Sequence, residues 1–179
     1  MTNIGRQLEA RQSIPCSSVG KHEIRHKAFQ REIFAYSQRV AKSVGPKVIE
    51  LPDPAHSVLG ELRVVEAERI FGFTARRTYW IEGVPEKDIR GHHAHKELNQ
   101  AIVLLRGSSK VILRTPDVSY EFHLASPGEA LLIPPGFWRE MSHFSADALM
   151  FVFASDLYDE SDYIRDWNSY VEFFRSDVR

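Results

Sequence analysis

Two histidines separated by one residue, His93 and His95, are the side chains of this sequence best suited to chemistry. Imidazole titrates near neutrality, so one ring can take up a proton and return it, and two rings can divide that work. The same rings are common metal ligands. On a β-strand the i, i+2 spacing points both to one face of a sheet. Arg90 precedes the pair and Gln100 follows it. The apolar run Ala101-Ile102-Val103-Leu104-Leu105 then reads as a buried strand closed by the turn Arg106-Gly107-Ser108. Earlier in the chain, Arg77, Tyr79 and Ile81 share one face of a strand. Arg77, Arg90 and Tyr79 are donors of the kind that hold a developing oxyanion, and arginines also suit a pyrophosphate.

The spacing resembles the paired motifs of the cupins, small antiparallel β-barrels. His93 and His95 supply the His-x-His of the first motif, Gln100 falls where its acid belongs, and Gly107 closes it. Gly128, Pro134, Pro135 and Gly136 frame the second motif, and Arg139 occupies the place of its histidine. A cupin metal site needs three histidines and a carboxylate. Two of these four ligands are absent here and Arg139 would repel a cation, so the expectation is a barrel with no metal and no cofactor.

The elements that must position these residues are short strands. Lys47–Leu51, Gly60–Glu66 and Arg76–Ile81 precede the histidine strand. Lys110–Arg114 and Ser119–Leu124 form a hairpin about Thr115-Pro116-Asp117, and Ala130–Ile133, Trp138–Phe144 and Ala148–Phe153 follow. Strands at this spacing, broken by Gly and Pro, predict an all-β, cupin or jelly-roll-like double-stranded barrel. Tyr163, Trp167, Tyr170 and Phe174 step by four, three and four, which predicts a C-terminal helix capped by Asp159 or Ser161 and covering an end of the barrel.

The chain has 179 residues, 43% hydrophobic and 26% charged, as expected of one soluble domain with an appendage. Its net charge of -1 excludes a general polyanion binder, but the charge is uneven. Residues 1–45 carry eight Lys/Arg against three Asp/Glu, and the remainder carries fifteen against twenty-one. This divides the chain into a basic extension, 1–45, and a cupin-like domain, 46–179. Within the extension, Ile24, Ala28, Ile33, Tyr36 and Val40 predict an amphipathic helix over about 21–44, stopped by Gly45-Pro46. A lone cysteine, Cys16, excludes an intramolecular disulfide. With no secretory or membrane-spanning pattern, the expectation is a cytoplasmic protein without membrane or nucleic-acid partners.

From Lys47 to Tyr170 the chain resembles the WxcM-like, or FdtA-type, sugar-nucleotide 3,4-ketoisomerases, which are metal-free cupins. The resemblance rests on Arg77-Thr78-Tyr79-Trp80-Ile81, Arg90-Gly91-His92-His93-Ala94-His95-Lys96 and Gln100. It continues through Ile133-Pro134-Pro135, Trp138-Arg139-Glu140 and Tyr158-Asp159-Glu160-Ser161-Asp162-Tyr163-Ile164-Arg165. It implies conversion of a dTDP-4-keto-6-deoxyhexose to its 3-keto isomer through an enediol, in deoxy-amino-sugar biosynthesis. It further implies a homodimer, to which the strand from Lys47 and the 21–44 helix would contribute surface. His93, His95 and Tyr79 become the catalytic set, with His95 favoured as base, and Arg77, Arg90, Gln100 and Arg139 the substrate-binding set. Three departures stand out: Arg139 where the family usually has His, Leu59 in place of an arginine, and the basic 45-residue extension, which is not part of the family domain.

Plainer readings accompany these. The histidine pair could be a core relic of a metal-binding ancestor, and Arg139 could pair with Glu140 rather than contact substrate. His92 alternates away from its neighbours and is expected outside the pocket. His56, His123 and His143 read as surface residues. Asp156, Asp159, Glu160 and Asp162 read as capping and solvation of the last helix. The competing functions are a related nucleotide-sugar epimerase and a non-catalytic sugar-nucleotide-binding cupin.

Overall fold

Alternation is the local signal that builds the sheets. In Arg77-Thr78-Tyr79-Trp80-Ile81-Glu82 every second residue is part-buried and the others are exposed, the pattern of a strand with one face to a core. In the computed structural model, which describes residues 45–176, this segment is β4. It is preceded by β1 (Lys47–Glu50), a short ribbon of β2 (Ala55–Ser57) and β3 (Gly60–Leu62), and helix α1 (Ala67–Phe71). It is followed by β5 (Arg90–His95), β6 (Gln100–Arg106), β7 (Ser109–Arg114), β8 (Ser119–Leu124) and β9 (Glu129–Ile133). After β10 (Trp138–Ser142) and β11 (Leu149–Ala154) come a 3-10 turn at Glu160–Asp162, β12 (Tyr163–Ile164) and helix α2 (Trp167–Ser176).

Two five-stranded antiparallel sheets result, ordered β1-β9-β6-β11-β4 and β12-β5-β10-β7-β8. They form a jelly-roll sandwich, as the strand spacing predicts, rather than a fully closed barrel. Between the sheets lies a core that includes Ile102, Leu104, Val111, Leu113, Leu131, Met150 and Val152. A second cluster, Phe71, Ala101, Val103 and Ala130, lies under α1, and a third, Ala94, Trp138, Ile164 and Tyr170, lies under α2. Burying apolar faces on both sides is what holds strands such as β6, buried along its first five residues, in register.

Several expectations change. The hairpin about Thr115-Pro116-Asp117 forms as read, with the Thr115 amide donating to the Val118 carbonyl. The strand read over Gly60–Glu66 stops at Leu62, and the unforeseen α1 follows, ended by Gly72 at φ 78°. The strand from Trp138 ends at Ser142, because His143 turns the backbone to φ 52°. The last helix starts at Trp167, not near Asp159. Tyr163 and Ile164 instead pair with His95 and Ala94 on the free edge of β5. Asp166 caps the helix, its carboxylate accepting from the Ser169 amide at 2.8 Å, while Asp159 caps only the 3-10 turn. The helix covers an outer sheet face through Tyr170 and Trp167 rather than a barrel end. The amphipathic helix read over 21–44 lies outside the described residues.

Candidate active site

The expected site residues come from four strands of the two sheets: Arg77 and Tyr79 from β4, Arg90, His93 and His95 from β5, Gln100 from β6, and Arg139 from β10. A bulge makes the β5 contribution possible. Arg139 faces His93 across the ladder, yet the next β10 residue, Glu140, faces Gly91, so His92 has no partner. Gly91 at φ 101° permits this, since a Cβ there would lie 2.5 Å from the Arg139 carbonyl oxygen. Strict alternation would set Arg90 and His93, three apart, on opposite faces. The extra residue turns Arg90 inward, opposite Met141.

A cavity of about 520 Å³ opens beside this strand. Four of the seven expected residues reach its wall: Arg77, Tyr79, Arg90 and His93. His95, Gln100 and Arg139 lie beneath it, all buried. His92 corrects its expectation in part. Its ring leans 3.7 Å from Glu140 on the outer side, but the residue still reaches the cavity rim.

The two imidazoles are held differently. His93 Nδ1 sits 2.9 Å from the Gly91 carbonyl oxygen. A carbonyl can only accept, so Nδ1 carries the proton and Nε2 presents a lone pair. Burial first, and then the charge of Arg139, lower the His93 pKa to about 3. His95 Nδ1 donates to Asp162 Oδ2 over 2.6 Å. Burial and Arg139 outweigh that bond and lower the His95 pKa to about 4. Both rings are therefore neutral near pH 7. The Nε2 of His95 is buried, with no hydrogen-bond partner among the described residues, and His95 is not among the residues that line the cavity. His93 stands in front of it, ring centroids 4.9 Å apart and nearly perpendicular.

Beneath them lies Arg139, 2% exposed, with none of its three guanidinium nitrogens bonded among the described residues. Burial pulls its pKa down to about 10, which leaves it a cation. The pairing of Arg139 with Glu140, the alternative reading, does not form. That carboxylate takes Arg114 and the Trp138 indole on the outer face. Tyr79 accepts from Gln100 Nε2 at 2.8 Å, and burial raises its pKa, so the phenol keeps its proton. Gln100 thus meets the site through Tyr79 and not at the cavity wall. The side chains present do not suit the metal of the cupin fold: two imidazoles remain, beside a buried cation. Among the described residues no group of three His, Cys, Asp or Glu could hold a metal ion.

The tail residues correct a further expectation. Asp162 binds His95 rather than solvating a helix. Tyr163 packs 5.0 Å from His93 and 4.3 Å from His95, between ring centroids. Tyr158 and Arg165 join the cavity wall, and Arg165 pairs with Glu160 at 2.8 and 2.9 Å. The motif Tyr158–Arg165 carried this signal, but a helical phase through Tyr163 hid it.

The family model of the WxcM-like, C-terminal (FdtA) type matches residues 44–175. This chain belongs to the FdtA family. As an FdtA-family chain it is 40% identical over 114 residues to the TDP-4-oxo-6-deoxy-alpha-D-glucose-3,4-oxoisomerase of Aneurinibacillus thermoaerophilus, across 64% of this chain and 82% of the relative. Its fold matches QdtA, a sugar 3,4-ketoisomerase from Thermoanaerobacterium thermosaccharolyticum solved with TDP. That match has a TM-score of 0.71 and 32% identity, over 76% of this chain and 98% of the other. WlaRB, the TDP-quinovose 3,4-ketoisomerase of Campylobacter jejuni, matches with a TM-score of 0.68 and 32% identity, over 72% and 98%. No described helix is long and apolar enough to cross a membrane.

Proposed function

We propose that the chain is an isomerase that converts a dTDP-linked 4-keto-6-deoxyhexose to its 3-keto isomer, in the cytoplasm and within deoxy-amino-sugar biosynthesis. The relatives that carry this activity share its fold and family. One observation carries the reading at the site: a neutral histidine on the cavity wall with its proton on Nδ1, backed by a buried guanidinium with no hydrogen-bond partner among the described residues.

His93 Nε2 takes the proton from carbon 3. The electron pair forms the C3–C4 double bond and moves the carbonyl electrons onto the oxygen at carbon 4, giving an enediolate. The Tyr79 hydroxyl on the wall donates to that oxyanion, and the charge of Arg139 beneath the wall stabilises it through the field. A proton passes from the oxygen at carbon 3 to that at carbon 4, and the imidazolium of His93 returns its proton to carbon 4. The product has its ketone at carbon 3 and a hydroxyl at carbon 4. Burial and then the charge of Arg139 hold the pKa of His93 low in the free protein, and a forming oxyanion in the field of Arg139 offsets that charge and restores part of the basicity. Arg77 and Arg90 on the wall suit the pyrophosphate.

The assembly is a homodimer in this reading. Trp80, Leu62 and Val64 leave large apolar side chains 60 to 64% exposed, surface that a second copy would cover. Light scattering at working concentration tests it, and a monomer contradicts it. The activity is tested by incubating the protein with dTDP-4-keto-6-deoxyglucose in deuterated water and following the sugar by NMR. A 3-keto product supports the reading, whereas a 4-keto sugar with only one inverted centre indicates an epimerase and overturns it. Activity is expected to survive chelation by EDTA. Loss of activity restored by one added metal contradicts the mechanism.

A further inference from the structure

We propose that Asp162 is a positioning residue that fixes the tautomer and orientation of His95 beneath the site. The functional consequence rests on the isomerase reading, but the tautomer can be read without any turnover.

Asp162 is held at four points, one of them its own amide, which donates to the Asp159 carbonyl at 3.3 Å. Its Oδ1 accepts from the Glu97 amide at 2.7 Å, its carbonyl accepts from the Lys96 amide at 3.0 Å, and its Oδ2 accepts from His95 at 2.6 Å. The following residue, Tyr163, pairs in register with His95 itself, so the β12 strand carries the carboxylate to the edge of β5. The bond is nearly dry: the His95 side chain is 1% exposed and that of Asp162 14%. Burial pushes the Asp162 pKa up, but the hydrogen bonds from His95 and the Glu97 amide outweigh it and leave the carboxylate ionised. An ionised carboxylate only accepts, so His95 must carry its proton on Nδ1 and leave Nε2 as a lone pair.

That choice matters because of the cation whose field reaches the ring. The charge of Arg139 is among the main influences on His95, and its guanidinium offers only donors. A lone pair is compatible with that field, whereas an Nε2–H would set a buried donor against a buried cation. Burial and the charge of Arg139 keep His95 neutral, and Asp162 fixes which of its nitrogens carries the proton and how the ring is turned. His93 and Tyr163 both pack on the fixed ring. Free rotation of His95 would disturb the placement of His93 Nε2 and of the Arg139 charge together. This anchoring acts through His95. Asp162 is not among the residues of the cavity wall.

The substitution Asp162→Asn separates this role from mere architecture. An asparagine oxygen can still accept from the Glu97 amide, while its NH2 replaces the oxygen that faces His95. The thermal midpoint should change little. The 15N resonances of His95 should move from the Nδ1–H to the Nε2–H pattern. Turnover should fall by about tenfold or more with KM within twofold of wild type, as expected when a histidine loses its orienting carboxylate. Asp162→Glu, which restores an anion, should recover part of the loss. An unchanged tautomer in folded Asp162→Asn overturns the proposal, as does a changed tautomer with turnover within twofold of wild type. If that variant does not fold, the wild-type spectrum decides: an Nε2–H tautomer for His95 overturns the proposal, and an Nδ1–H proton shifted far downfield by the short bond supports it. Absence of isomerase activity in the wild type would defeat the proposed function alone, with the NMR outcome still deciding the role of Asp162.

Discussion

Gln100 donates its side-chain amide to the Tyr79 hydroxyl over 2.8 Å, a bond from β6 to β4 that spans the intervening strand β11. It fills a lone pair of the phenol and leaves the phenolic proton to point elsewhere. Residue 100 stands where a cupin has a metal-binding acid, and here it orients a donor instead.

Gln100→Leu keeps the volume but removes this bond. It should lower stability by about 1–2 kcal/mol, the range for a buried hydroxyl left without its partner. Turnover should fall, because Tyr79 is no longer oriented. Urea unfolding and steady-state kinetics on the same preparation check both. Wild-type values in both would show that the bond holds nothing in place.

His93 and His95 should not respond alike. His93→Asn is expected to lower turnover by about two to four orders of magnitude, the range for loss of a general acid–base, and to abolish exchange of the carbon 3 proton with solvent deuterium. His95→Asn should slow turnover but retain measurable exchange, because its ring lies behind His93 rather than at the wall. The reverse ranking, with both variants folded by circular dichroism, would return the base to His95.

Arg139→Met should separate stability from catalysis. A buried cation with no hydrogen-bond partner among the described residues gains little from its surroundings, so an apolar side chain of similar length should preserve or raise the thermal midpoint. Turnover should fall by about a hundredfold to a thousandfold, as when an oxyanion donor is removed. Loss of the charge should also raise the His93 pKa from about 3 toward its ordinary value, which an NMR titration reads. A large drop in the thermal midpoint would mean that Arg139 is chiefly structural.

The same groups set a pH dependence of stability. His93 and His95 have folded pKa values lowered to about 3 and about 4, from 6.5. Between pH 6.5 and those values the unfolded chain binds more protons, so stability rises with pH through that window and is lost as pH falls. Asp162, also lowered, acts in the same direction. Thermal midpoints should decline steadily from pH 7 to pH 4, and the decline should be shallower in the His93→Asn, His95→Asn double variant. Parallel profiles for the two proteins would refute the assignment.

Much of this protein is determined by local pattern. Alternation in β4, the apolar run of β6 and the turn at Thr115-Pro116-Asp117 are short-range features, and each forms as read because a strand's side chains must point to opposite faces. The His-x-His pair likewise puts both rings on one face by spacing alone. What alternation could not convey is where it breaks. The bulge at His92 turns Arg90 into the cavity, and it exists only because the Arg139 carbonyl lies against Gly91 across the ladder. Depth was equally hidden. His93 at the wall and His95 beneath it differ by which neighbours close over them, and those neighbours come from β10, β12 and the Asp162 turn. Tyr163 fitted a helical repeat with Trp167 and Tyr170, yet the free edge of β5 took it as a strand. Backbone groups on an open sheet edge need partners, and only the folded chain shows which segment is near enough to supply them.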